Sequence, residues 1–375
     1  MATAGKVQVI DADAHVVETE RTWDYLEPSE QKFRPLLFSN PADPSRRYWV
    51  VGDKIRGLRT RTLTEAQAEA LSKTTGRNVN TPLAARQMDD VALRLRHMDE
   101  LGIDRQVLHN TLWIEQMADR ADVEAALCRS WNRWMADIWK QGNNRIFWVS
   151  VLPYMDIPEA ISQMRFAREH GAVAICVRPY EGNHLITDPY YYPVYEEASR
   201  LDLAVAIHIA NANPASCDLN RSPWDGGGTF ATFRAPTVVA CHTLLMSDLH
   251  RLFPKLRWGF IEASAQWIPW VLREAKRRMG AAAQFGVEKD QTPMNELLGA
   301  RNIYVSCQTD DDVPYIIKEA GSDCLMIGTD YGHFDPSSEI DAITLFREKF
   351  AGLISDAAAA NILENNARRL YGLNY

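Results

Sequence analysis

Asp11, Asp13 and His15 alternate along the apolar stretch VIDADAHVVE (9–18). In a strand, alternate side chains share a face. A carboxylate or imidazole inside such a run is costly to bury unless it is paired or metal-bound. The same interruption recurs along the chain. His109 ends RQVLH, His208 lies in AVAIHIA, Glu262 ends GFIE, and Asp330 ends MIGTD with His333 shortly after it. Each alone has an ordinary explanation. His208 fits a hydrogen-bonded core histidine, Glu262 a partner for Arg178, and Asp330 a helix cap. Together, Asp13, His15, His208, Glu262 and Asp330 predict a divalent metal site, because imidazole and carboxylate are ligands for Zn²⁺, Mn²⁺ or iron. Such a metal lowers the pKa of a bound water to about 7 and so makes hydroxide at neutral pH. Asp11 is expected behind His15, orienting it.

These residues need elements that bring them together. Eight short, mostly apolar runs fit strands covered on both faces: 7–13, 104–110, 146–153, 172–179, 203–210, 256–263, 302–307 and 324–330. Amphipathic segments such as AARQMDDVALRLRHMDELG lie between most of them. Strand–helix alternation on this scale predicts an α/β fold, a single (β/α)₈ TIM barrel over residues 1–375. A doubly wound sheet is the alternative, but no Gly-rich nucleotide fingerprint opens a helix. In a barrel, chemistry sits at the C-terminal ends of the strands, where the polar residues above fall. Two stretches break the alternation. Residues 24–82 are polar and turn-rich around RRYWVVGDKIRG, and predict an insertion after the first strand that caps the mouth. Residues 211–234, with Gly226–Gly228, form a long loop after the fifth strand, where function concentrates.

Composition narrows the partners. Charged residues are 24% and apolar residues 46% of the chain, and the net charge of −8 disfavours a nucleic-acid surface. No apolar run is long enough to span a membrane, and MATAGKVQV lacks a secretory apolar core, so a cytoplasmic protein is expected. The six cysteines form no CxxC pair and read as buried small residues. Eleven tryptophans exceed what the core needs, which predicts a homo-oligomer, a dimer or higher.

Asp13-x-His15, His208 and the GTDYGH motif around Asp330 together resemble the amidohydrolase superfamily. They are most similar to its amidohydrolase-related branch, which includes aminocarboxymuconate semialdehyde decarboxylase. LFPKLRWGFIEASAQWIPWVLREAKRR is similar to that branch's sixth strand and following helix, and the resemblance runs from about residue 7 to 372. It implies that Asp13 and His15 stand where the family has His-x-His or Glu-x-His. It also implies that His208 is the fifth-strand ligand, and that Asp330 is the eighth-strand carboxylate that binds metal or handles the proton of the attacking water. Glu262 falls where the decarboxylases carry an acid/base histidine. A glutamate replaces it only if its pKa is raised.

That departure suggests a second metal, held by Glu262 with help from His242 in APTVVACHTLLMSDL; the alternative for His242 is a core helix residue. His333 and His109 are candidates for substrate contact at the mouth, as is Arg178 for gripping a carboxylate. Trp113, Tyr180 and Trp224 are candidate pocket aromatics. The leading expectation is a metal-dependent hydrolase of a small organic substrate, with Asp330 or Glu262 as proton acceptor and one or two metal ions per chain. Two alternatives stand beside it. One is a non-oxidative decarboxylase of an aromatic or unsaturated acid. The other is a dinuclear Fe/Mn oxygen-activating enzyme, or a non-catalytic subunit paired with a paralogue.

Overall fold

The computed structural model describes residues 7–60, 62–220, 229–282 and 290–374. Trp224 and the Gly226–Gly228 run lie outside the described residues. The apolar runs form strands β1 (Ile10–His15), β2 (Arg105–His109), β3 (Ile146–Ser150), β4 (Ala172–Val177), β5 (Ala204–His208), β6 (Trp258–Ile261), β7 (Ile303–Cys307) and β8 (Leu325–Ile327). Among the described residues they make one sheet in chain order, with every paired neighbour parallel. Six of the eight are buried at every residue, as continuous Val/Ile/Ala runs require when both faces are covered.

A helix follows each strand: α1 (Val91–Glu100), α2 (Ala121–Gln141), α3 (Ile157–Glu169), α4 (Tyr192–Arg200), α5 (Ala235–Met246), α6 (Ile268–Ala282), α7 (Val313–Ala320) and α8 (Ala342–Phe350). Three begin on an aspartate cap. Asp90, Asp156 and Asp312 accept from the backbone N–H of Leu93, Glu159 and Tyr315, which satisfies donors a helix start leaves open. This is the (β/α)₈ barrel, and the doubly wound alternative is not formed.

The sheet closes where its two ends meet. Beyond β8 the backbone runs beside β1: Asp330 N donates to Asp13 O at 2.8 Å, and His15 N to Tyr331 O at 2.9 Å. A buried polar chain reinforces the seam. Arg94 of α1 donates to Gln106, Gln106 donates to Asp11, and Asp11 accepts from both the N–H and the hydroxyl of Thr329. Asp11 therefore ties β1 to β2 and to the end of β8, and does not orient His15 as expected. The reason is a register shift between Asp11 and Ala14, which breaks the simple alternation on β1.

Between β1 and α1 lie an antiparallel three-stranded sheet over Leu36–Asn40, Asp43–Val51 and Lys54–Arg59, and a helix over Glu65–Thr75. The hairpin at RRYWVVGDKIRG turns at Gly52, whose φ is +64°. Arg56 of this hairpin donates to Gln116 O and pairs with Asp119, so the sheet is tied to the loop after β2. No helix among the described residues is long and apolar enough to cross a membrane.

Candidate metal centre

Five of the polar strand-end residues converge at the C-terminal mouth of the barrel. His15 ends β1, His208 ends β5, Glu262 follows β6, and Asp330 follows β8, with Asp13 on β1 beside them. All five are at least 93% buried. Glu262 and Asp330 have φ of +65° and +50°, a left-handed conformation uncommon for residues with a Cβ and often found at functional sites. Glu262 is held there by its own N–H, which donates to Ser306 Oγ of β7 at 2.8 Å.

The imidazoles show what the cluster is built for. His15 Nδ1 lies 2.9 Å from Asn110 O, and His208 Nδ1 lies 3.4 Å from Ile209 O. A carbonyl accepts, so these contacts place the ring proton on Nδ1 in each case. Burial holds the His15 ring well below the usual histidine pKa, hence neutral. The two Nε2 lone pairs then face each other at 3.1 Å. That arrangement is favourable only around a shared electrophile. Asp13 Oδ1 stands 3.4 Å from both nitrogens and has no hydrogen-bond partner. Donors around a tetrahedral ion with bonds of about 2.0 Å sit about 3.3 Å apart. Asp13, His15 and His208 are thus spaced as ligands of one ion, and the residues present fit a divalent metal.

The carboxylates continue the cluster. Glu262 Oε2 lies 3.3 Å from His208 Nε2, and Asp330 Oδ1 lies 3.4 Å from His15 Nε2. Burial, then the neighbouring carboxylate charges, push the carboxyls of both Glu262 and Asp330 well above the usual range. Neither oxygen of Asp330 has a hydrogen-bond partner. His15, Glu262, Asp330 and His333 offer ligand atoms within 4.8 Å of one another. A cavity of about 50 Å³ opens on this cluster, walled by Thr111, Trp113, Ile114, Cys176 and Ile209. A second hollow, about 290 Å³, lies between the hairpin of residues 43–59 and the loops after β2 and β5.

Three expected roles are not met by the structure. His242 sits on α5 facing a groove with Val239, Trp270, Glu274 and Arg278 on α6, on the helical layer and outside the cluster. Arg178 is buried at the end of β4, with Glu181 accepting from its guanidinium twice and Glu115 O accepting a third hydrogen bond; it holds its own loop and does not line the cavity. His109 is fully buried, with Nε2 3.2 Å from Ala12 O. Burial lowers its pKa to about 4, and it packs against His15 and His208 without lining the cavity. Of the suggested aromatics, Trp113 does line the cavity and Tyr180 does not. His333 is at the mouth, with Nε2 3.0 Å from the hydroxyl oxygen of Thr111, which the sequence did not single out. Asp335, also overlooked, lines the same cavity. The only signals for them were their places just beyond strand ends, in HNT and DYGHFD.

A parallel barrel with imidazoles and carboxylates converging at the strand ends defines a metal-dependent enzyme. The chain belongs to the amidohydrolase family, whose pattern matches residues 10–373. Solved structures share the whole architecture. An amidohydrolase from Mycobacterium avium subsp. paratuberculosis is 17% identical with a TM-score of 0.77, covering 99% of both chains. The 5-carboxyvanillate decarboxylase of Sphingomonas paucimobilis is 19% identical with a TM-score of 0.66, over 98% of this chain and 100% of that one. A 5-carboxyvanillate decarboxylase from Novosphingobium aromaticivorans, solved with manganese and 4-hydroxy-3-methoxy-5-nitrobenzoic acid, is 16% identical with a TM-score of 0.60, over 81% of this chain and 91% of that one.

Proposed function

We propose that this chain is a metal-dependent hydrolase of a small, uncharged organic substrate. The observation that carries the reading is the pairing of two buried carboxyls, Glu262 and Asp330, on a metal-ligand set in a cavity whose described walls include no lysine or arginine. Asp13, His15 and His208 would hold the ion. Two imidazoles with carboxylates suit zinc, manganese or iron. When bound, the ion supplies Lewis acidity, polarising a substrate oxygen and making water acidic near neutral pH. Asp330, whose oxygens have no hydrogen-bond partner, would be ionised by the charge of a bound ion and would then accept the proton that water gives up. Glu262, kept protonated by burial and by its carboxylate neighbours, donates a proton to the leaving group. Trp113, Ile114 and Ile209 seat the apolar part of the substrate.

Decarboxylation is the second reading, favoured by the likeness to the 5-carboxyvanillate decarboxylases. Against it, the cavity presents carboxylates where a substrate carboxylate would need a cation, leaving only the ion to hold it. The test loads the protein with zinc or manganese. It then follows hydrolysis of a panel of small esters, lactones and amides beside CO₂ release from aromatic acids. Hydrolysis is expected, with Glu262→Gln lowering kcat by about 10²–10⁴ at unchanged Asp13–His15–His208 metal content. CO₂ release without hydrolysis would overturn the proposal.

A further inference from the structure

The outer face of the insertion sheet is apolar and uncovered. Its three strands, Leu36–Asn40, Asp43–Val51 and Lys54–Arg59, pair so that Leu36 meets Val50, Phe38 meets Tyr48, Tyr48 meets Leu58 and Val50 meets Ile55. Cross-strand partners share a face, so these six apolar side chains form one patch. On it Leu36 is 65% exposed, Ile55 57%, and Phe38 and Leu58 47% each. Leu37 and Trp49 pair on the opposite face, which packs inward. Trp49 meets Trp23 edge-on, and Trp23 packs against Trp113 of the cavity wall. An antiparallel sheet with one face in water alternates apolar and polar residues. This one is apolar on both faces, which is the pattern of a sheet covered on both sides.

Area and charge say what covers it. The four most exposed side chains present roughly 400 Å² of apolar surface, the size at which a patch on a single chain marks an interaction site. That is about half of the roughly 800 Å² each partner gives to a stable association, and such interfaces are a little over half apolar with a polar rim. A two-fold axis sets a surface against its own copy, so a patch with net charge at its centre would repel itself. None of the six residues is charged. Arg46 pairs with Asp43, and Lys54 and Arg56 both pair with Asp119, which leaves little cationic charge there to attract an anionic lipid surface. We infer that this face binds the same face of a second copy of the chain, the two sheets packed face to face about a two-fold axis. Stacked sheets sit about 10 Å apart with their side chains interleaved, which buries all six residues. The pairing also holds each sheet's inner face against the Trp49–Trp23–Trp113 stack, so the dimer braces one wall of the cavity.

Sedimentation velocity of the full-length protein at micromolar concentrations tests this. Wild type is expected to run at twice the chain mass. Phe38→Glu and Leu58→Glu, made separately, each set like charges across the axis. Each is expected to raise the dimer dissociation constant at least about 100-fold and so to run as a monomer. Circular dichroism and Tm should stay at wild-type values, because both side chains are exposed. Leu353→Glu, at a residue 63% exposed but outside the patch, is expected to remain a dimer. An assembly larger than two supports the inference if Phe38→Glu halves it. A monomeric wild type overturns the inference, whether or not it floats with vesicles of phosphatidylcholine and phosphatidylserine. So does a dimer that survives in either patch variant, or one that is lost in Leu353→Glu.

Discussion

Glu124 is a carboxylic acid on α2 with only 2% exposure, accepting from Met155 N–H at 3.0 Å. Burial pushes its pKa up to about 7, despite the Arg178 guanidinium 3.8 Å away. Arg178 gives Glu124 little because Glu181 occupies it more closely, at 2.5 Å. An acid whose pKa is raised on folding costs stability as pH rises. At pH below its unfolded value both states are protonated and nothing is lost; between about 4.5 and 7 the unfolded state ionises while the buried carboxyl stays protonated, so stability falls through this window and levels off above about 7. Glu124→Gln keeps the acceptor for Met155 and removes the ionisation. It is expected to match wild type near pH 4.5 and to exceed it at pH 8 by on the order of 2–3 kcal/mol, read by urea denaturation at the two values; equal stability at pH 8 would refute this. The same trio shows what single residues reveal in sequence. His15, His208, Glu262 and Asp330 were legible because each interrupts an apolar strand. Arg178 interrupts one equally well, yet its partner Glu181 lies three residues on in the same loop, and nothing in the sequence ranks that short-range pairing above a substrate.

At the scale of elements, the site depends on how closely β8 approaches β1. Gly328, just past β8, has no room for a side chain: a Cβ there would lie 2.3 Å from Asp13 Cβ and 3.2 Å from its Cα. The contact is with the root of a candidate metal ligand and not with a flexible tip, so relief must move Asp13. Gly328→Ala is therefore expected to weaken binding of the ion held by Asp13, His15 and His208 at least about tenfold, measured by competition with a chelating dye. Wild-type affinity in that variant would show that the seam absorbs the methyl elsewhere. The strand pattern made β1 and β8 visible, along with the polar residues that end them. It did not show the register shift within β1, because a bulge leaves hydrophobic order intact and changes only which side chain points where. Asp11 was misplaced for that reason. His242 was misplaced for another. α5 reads APTVVACHTLLM, apolar all the way round, so its periodicity does not say which face meets the barrel. The structure turns His242 toward α6 and the helical layer.

The whole molecule gathers the candidate ligands at residues 13, 15, 208, 262 and 330 onto one rim. That convergence is what a parallel barrel does to any residue placed at a strand's C-terminal end, and it is why the rim could be anticipated from eight apolar runs without knowing a single contact. The contacts of Thr111 and Asp335 are different in kind. They arise from loop geometry, which leaves no periodic trace. Convergence also has a thermodynamic side. An unfolded chain has no such cluster, so an ion that binds the folded barrel alone stabilises it by mass action, by about 2.7 kcal/mol when free metal is at 100 times its dissociation constant. For a barrel of this size that corresponds to a fall in Tm of about 3 °C on stripping the metal. Readdition of manganese or zinc should raise Tm steadily with the logarithm of free metal. The gain should shrink as pH falls toward 5, because imidazole and carboxylate ligands must lose their protons to bind. Differential scanning calorimetry of stripped and reloaded protein at pH 5 and 7.5 measures both effects. A Tm indifferent to metal at pH 7.5 would mean that the cluster is stable as a network of shared protons, and that the bare lone pairs at His15 and His208 are satisfied without an ion.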